Sequence, residues 1–288
     1  MGVQKNVPES VADEYLTTTL PTTALVVVSK FHTLIAMGFY DLDKNQRDKL
    51  VHQIGEHVAV DLRSGTKIWL QRYFSDEDTY IRKTAYLAVG RIYNADKNLH
   101  SAIVLALKEL LRETDPKIRQ TAINAAGEIG KINFEIVKEF FDTGLFDTHH
   151  SVRNAVIGSM KKMGEKNPAP VLEWSRYYLH HPDKEVRREI CHGIELRGRT
   201  HPEDILSLLW ELQHDKTTRV RNTLVHVIGQ VSYKKGCLEK VMAAITKWEN
   251  RELVAEAIEE IIDVHDRYRN FSFYTQDEAR DYIKEHSV

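Results

Sequence analysis

Five short segments of this chain can be laid over one another, and that periodicity limits its possible folds more than any other feature. "DTYIRKTAYLAVGRI" from Asp78, "DPKIRQTAINAAGEI" from Asp115, "HHSVRNAVIGSMKKM" from His149, "DKEVRREICHGIELR" from Asp183 and "TTRVRNTLVHVIGQV" from Thr217 align on an apolar-Arg pair. The arginines are Arg82, Arg119, Arg153, Arg187 and Arg221, spaced 37, 34, 34 and 34 residues apart. A fixed period of this size marks a stack of supersecondary units, each burying its apolar face against its neighbours. Weaker copies flank the five. Arg47 has Asp43 before it and Gly55 after it in the same register, and Val254 keeps the apolar position with Ala255 in place of Arg. Terminal units face water on one side, so degenerate ends suit an array.

Each unit reads as two helices. The second begins at the Asp, and Asp78, Asp115, Asp183 and Thr217 can accept hydrogen bonds from free N–H groups of its first turn. Apolar residues then fall at Arg−1, +3, +7 and +10, a helical period that marks a core-facing stripe. The first helix precedes it, as in "NLHSAIVLALKELLRE" from Asn98, "NPAPVLEWSRYYLHH" from Asn167 and "THPEDILSLLWELQHD" from Thr200. Proline near the first turn fits a helix start, where its missing N–H costs little. No segment alternates as a strand would, so the expected class is all-α.

The pattern D-x-x-[IV]-R opening the second helix, repeated every 34 residues over roughly 40–265, resembles HEAT repeats, including the variety found in phycobilin lyase-type repeats. Tetratricopeptide repeats share the period but use a Trp, Gly, Tyr and Ala pattern that this chain lacks. The resemblance implies a right-handed α-α superhelix. It divides the chain into a tail or cap at 1–22, a solenoid at 23–265 of five clear and two degenerate repeats, and a capping segment at 266–288. It also implies that Asp78, Asp115 and Asp183 join Arg82, Arg119, Arg153, Arg187 and Arg221 in a structural ladder between units. His149 and Thr217 replace Asp, so those two junctions are expected to be looser or differently wired.

In such a solenoid the second helices line a concave face, on which Arg+1, +5 and +9 turn away from the core. The candidate partner-binding residues are therefore Lys83, Arg91, Asn124, Asn154, Lys162, Arg188, His192, Asn222, His226 and Gln230. Lys83, Arg91, Lys162 and Arg188 stand against one acid, Glu128, with Arg197, Arg199, Lys234 and Lys235 just past the helix ends. That reads as a mildly basic, amide-rich groove for a protein or peptide, or for a phosphate-rich partner. No repeated aromatic stripe supports base stacking. Around 180–250 the chain is also similar to the HEAT-like alkylpurine DNA glycosylases, which implies duplex or branched DNA as the alternative partner. Those enzymes set a catalytic Asp beside Trp. Here Trp210 precedes Asp215 by five residues inside a helix junction, so no catalytic residue carries over, and the tryptophans read as packing groups. A non-enzymatic scaffold is expected; an enzyme, if this were one, would be glycosylase-like.

Fourteen histidines raise the question of metal. The HEAT-repeat di-iron hydroxylases, the deoxyhypusine hydroxylase family, carry His-Glu pairs, and this chain has no His-Glu dipeptide. His149-His150 and His180-His181 read as exposed turn residues, so neither a metal nor a small-molecule cofactor is expected. Net charge is −2, which excludes a globally basic nucleic-acid binder. Two cysteines make no disulfide framework, and Cys191 reads as a packed thiol. The longest apolar run, "ALVVV", is too short to span a membrane, and the N-terminus lacks a signal layout. A cytoplasmic protein with no membrane partner is expected. Near the end, "TQDE" is a capping-box pattern, and Tyr268, Phe271, Phe273 and Tyr274 are placed to seal the last repeat.

Overall fold

A computed structural model describes residues 38–286. The expected tail at 1–22 and the start of the array lie outside the described residues. A short 3₁₀ turn at Phe39–Asp41 leads into α1 (Lys44–Ser64), α2 (Ile68–Phe74), α3 (Thr79–Ala95), α4 (His100–Leu110), α5 (Pro116–Gly130), α6 (Phe134–Gly144) and α7 (His150–Lys166). There follow α8 (Pro168–Tyr178), α9 (Lys184–Gly193), α10 (Glu195–Gly198), α11 (Glu203–Glu211), α12 (Thr218–Gln230), α13 (Cys237–Ile245), α14 (Arg251–Arg267) and α15 (Gln276–His286). Among the described residues there is no strand.

The long helices pack in the order α1, α3, α5, α7, α9, α12, α14, so the second helices of successive units form one continuous row. The shorter first helices lie beside them, and the core runs between the two rows. The repeated apolar register explains this. Ile81, Ile118, Val152, Val186 and Val220 at Arg−1 are all buried, as are Val89, Ala126, Met160, Ile194 and Ile228 at Arg+7. The first helices supply Leu107, Phe141, Trp174, Leu209 and Val241 from the other side. Both degenerate units take part. Asp43 caps α1 through a reciprocal box with Gln46, and Asn250 caps α14 through Leu253 N–H.

Close packing of the second-helix row depends on a glycine. Gly90, Gly127 and Gly229 stand at Arg+8, and a Cβ on them would fall 2.6, 2.5 and 2.6 Å from Glu128, Ser159 and Glu260 of the next helix. In two adjacent units the same position carries Lys161 and Glu195. There α7 and α9 pack more loosely than α5 and α7, and the second helix breaks at Ile194, between α9 and α10.

The ladder differs from the expected one. Asp78, Asp115 and Asp183 cap their own helices, each accepting from the N–H two residues on at 2.7, 2.8 and 2.9 Å. None of these bonds is to a repeat arginine. Arg82, Arg119, Arg153 and Arg187 instead grip the two loop carbonyls six and five residues before them. The acids that tie one unit to the next are Asp147 and Asp215, two residues before the helix caps. Arg119 reaches both oxygens of Asp147 at 2.8 and 3.0 Å, and Arg187 both oxygens of Asp215 at 2.6 and 3.2 Å. A helix-start carboxylate is already committed to its own N–H groups; the loop residue before it faces the preceding unit. Arg153, with His181 in that loop position, leans on Glu189 at 3.5 Å, and Arg221 clasps Glu256 at 2.9 Å. The junctions of His149 and Thr217 are thus differently wired. His149 accepts Ser151 N–H through its ring, and Thr217 Oγ1 accepts from Arg187.

At the far end α15 lies against α13 and α14, burying Ala279 and Ile283. Thr275 and Glu278 form the expected capping box. The aromatic residues divide: Tyr268 stacks on Tyr233 at 5.2 Å and Tyr274 packs on the core, but Phe271 is 71% and Phe273 50% exposed. These two follow a turn that carries them past the last apolar surface.

Candidate functional site

The exposed face of the second-helix row holds most of the residues chosen from the sequence, though not as a basic stripe. Lys83, Arg91, Asn154 and Asn222 are exposed. Asn124 is half-buried and donates to Gln120 O within its own helix. Lys162 lies over the Tyr86 ring, 5.4 Å from its centroid, and 4.0 Å from Glu128. Arg188 pairs with Glu185 at 2.9 Å and Glu189 at 3.4 Å. Past the helix ends, Arg197 bonds Asp204 at 2.6 Å, and Arg199 holds Glu195. Gln230 is not on the surface. It is fully buried, accepting from Arg199 at 2.9 Å, because the last turn of α12 tucks under the α10 segment. The excess of base over acid seen at three register positions is cancelled by Glu185, Glu189 and Glu195, which neighbouring positions bring to the same surface.

His192 and His226 come together with a residue outside the chosen set. Glu195, 1% exposed, places Oε2 at 3.1 Å from His192 Nε2 and 3.1 Å from Lys161 Nζ, with Arg199 on its other oxygen. Lys161 Nζ is also 2.9 Å from His192 Nε2. His226, on the adjacent α12, contributes a ring nitrogen within 4.8 Å of both His192 and Glu195. Its Nδ1 is 3.6 Å from Glu260 Oε1 on α14. Burial alone pushes the Glu195 carboxyl up, but the bond from His192 and the charges of Lys161 and Arg199 outweigh it and hold the group down at about 2. Glu195 is therefore ionised. Beside His226 a pocket of about 430 Å³ opens between α12 and α14, lined by Asn222, Val225, Glu256, Glu260 and Arg267.

Helix pairs at a 34-residue period, a conserved stacking glycine register and an arginine gripping each loop are now all in place. The chain is a HEAT-like repeat solenoid. The family model of Cnd1, described as non-SMC mitotic condensation complex subunit 1, matches residues 64–145. No curated protein matches the chain. Among solved structures, the X-ray structure of YibA from E. coli is 16% identical over 99% of each chain, with a TM-score of 0.40. The archaeal HEAT-like repeats protein from Thermococcus onnurineus NA1 is 15% identical, with a TM-score of 0.39, over 77% of this chain and 98% of that one. A chain of the Kap95:Nup1 complex is 13% identical, with a TM-score of 0.41, over 88% of this chain and 37% of that one.

The first-helix side of the solenoid carries a second concavity, of about 620 Å³, between α6 and α8. Asp142 on its wall accepts from Trp174 Nε1 at 2.7 Å and from Tyr178 Oη at 2.8 Å. Burial and this bond push the Tyr178 hydroxyl up from its usual range. Trp174 thus has an Asp partner from the preceding unit, which a search along one helix does not find. Trp210, expected to pack, is 46% exposed at the end of α11. Asp215 is held by Arg187. Cys191 is buried and its thiol is pushed up by burial, consistent with a packed group. Among the described residues no helix is long and apolar enough to cross a membrane.

Proposed function

We propose that this solenoid is a non-enzymatic interaction scaffold that holds a protein segment along the exposed face of its second helices. The observation that carries this reading is the charge pairing of that face. Lys162, Arg188, Arg197 and Arg199 each have an acidic partner within 4.0 Å, leaving exposed amides at Asn154 and Asn222 between compensated charges. Such a surface matches the mixed, polar composition of protein interfaces better than the phosphate lattice of a duplex, which rewards uncompensated Lys and Arg. The partial match to a family described as a condensation-complex subunit is in keeping with a partner-holding role. Cytoplasmic residence remains part of the same proposal.

The test has two arms. Cross-linking capture from the source cell should yield a partner whose recovery falls at least about tenfold with Asn154→Arg/Asn222→Arg, a loss of about 1.4 kcal/mol or more. Recovery unchanged by the pair would remove this face from consideration. Duplex and branched DNA, titrated against salt by fluorescence polarisation, should bind weakly with a shallow slope. A slope equivalent to several phosphates, abolished by Lys83→Glu/Arg91→Glu, would replace the scaffold by a DNA-binding protein.

A further inference from the structure

The α7–α9–α12 junction is where the repeat departs furthest from itself. The stacking glycine is replaced in two successive units, the helices separate, and the second helix breaks. Into that gap the fold puts a buried carboxylate, two imidazoles and an ammonium group. We propose that His192, Glu195 and His226 form a binding site for a divalent transition-metal ion of the zinc class, with its open side facing the pocket between α12 and α14.

The chemistry of the donors comes first. Two imidazoles and one carboxylate are a zinc-type ligand set, and three protein ligands leave a fourth position for water or another group. The geometry is close to what is needed. Tetrahedral bonds of about 2.1 Å separate ligand atoms by roughly 3.4 Å. His192 Nε2 and Glu195 Oε2 are 3.1 Å apart, and the three ligand atoms lie within 4.8 Å of one another. Drawing in His226 requires a side-chain movement on the order of 1 Å, at a ring that is half-exposed and free to turn.

Electrostatics supports the same reading. Glu195 is 1% exposed and ionised, so it demands positive charge at that spot. Lys161 Nζ supplies it now, touching both Glu195 Oε2 and His192 Nε2. A metal ion would take the place of that ammonium, and Lys161, with 22% of its side chain exposed, can swing to solvent. Arg199 stays on the second oxygen of Glu195, and Glu260 lies 3.6 Å from His226 Nδ1, the kind of outer carboxylate that orients a ligating imidazole. The pocket lined by Asn222, Glu256 and Arg267 gives a path for entry and room for the fourth ligand.

Zinc alone, titrated calorimetrically into untagged protein, should bind at one equivalent. His192→Ala and His226→Ala should each weaken binding at least about tenfold. Lys161→Met, which removes the competing ammonium, should strengthen it. His149→Ala/His150→Ala should leave it unchanged. Cobalt(II) should give the intense visible absorption of a tetrahedral site in wild type and lose it in both single histidine variants, whose folding is checked by circular dichroism. Absence of a one-equivalent event, binding indifferent to His192 and His226, or binding abolished by the His149/His150 pair would each overturn the proposal. Because neither histidine is used in the scaffold test, failure of one does not disguise failure of the other.

Discussion

Two glycines in neighbouring helices have opposite roles, although both are helical with ordinary φ. Gly127 faces Ser159, and a methyl group there would sit 2.5 Å from its Oγ and 2.7 Å from its Cβ, with only a short side chain to yield. Gly158 has nothing within 4 Å. Gly127→Ala should therefore destabilise by about 1–3 kcal/mol through overpacking. Gly158→Ala should stabilise by about 0.5–1 kcal/mol through helix propensity and a less disordered unfolded chain. Urea midpoints that moved in the same direction would show that the approach at Arg+8 is not what fixes the stacking. The loop acids also work residue by residue. Burial raises Asp147 and Asp215, but the bonds from Arg119 and Arg187 outweigh it and keep both carboxyls below the ordinary range. With folded values below the unfolded one of about 4, their stabilisation is present above that pH and is lost as pH falls through it. Asp147→Asn should cost about 1–2 kcal/mol near pH 7, and the gap from wild type should close towards about pH 2. A gap as wide in acid as at neutrality would contradict the ion-pair account.

Single helices show how an array ends. α14 has lost the repeat arginine and gains Glu252 and Glu256, which receive Arg221 from α12. α15 then covers the first-helix row without a second helix to follow. Its mean surface is polar, and only Ala279 and Ile283 are buried, with Tyr282 half-buried beside them. Ile283→Ala should cost about 2–4 kcal/mol locally, read as faster hydrogen exchange in α15 and α13 before any change in α3 or α5. Uniform acceleration along the chain would mean that the units do not behave as nearest neighbours.

On the scale of the whole molecule, stability is a sum over junctions, and these junctions are unequal. The glycine-spaced stack from α3 to α7 is close, whereas α7 to α9 is wider and filled with charged groups. Native-state hydrogen exchange should therefore divide the solenoid into two cooperative blocks meeting near residues 166–184. Protection falling off smoothly from both ends would place the weak point elsewhere. The proposed ion would act at that seam, so zinc should raise the opening free energy of α9 and α12 more than that of α3.

The repeat was legible because stacking imposes the same demand every 34 residues: an apolar face, a cap and a gripping arginine. Ile118, Asp115 and Arg119 could be placed in α5 from spacing alone, although the assignment of Asp115 as the arginine's partner was wrong. Partners are chosen by distance in space, and the residue facing Arg119 is Asp147, twenty-eight positions on. The same reason hid Glu195 and Lys161. They occupy a position that reads as a glycine site in other units, and only folding shows that Lys161, Glu195 and the two imidazoles of His192 and His226 share one gap. Periodic burial is a local rule that a sequence states openly, whereas charge neutralisation and ligand geometry depend on which units the tertiary stack sets side by side.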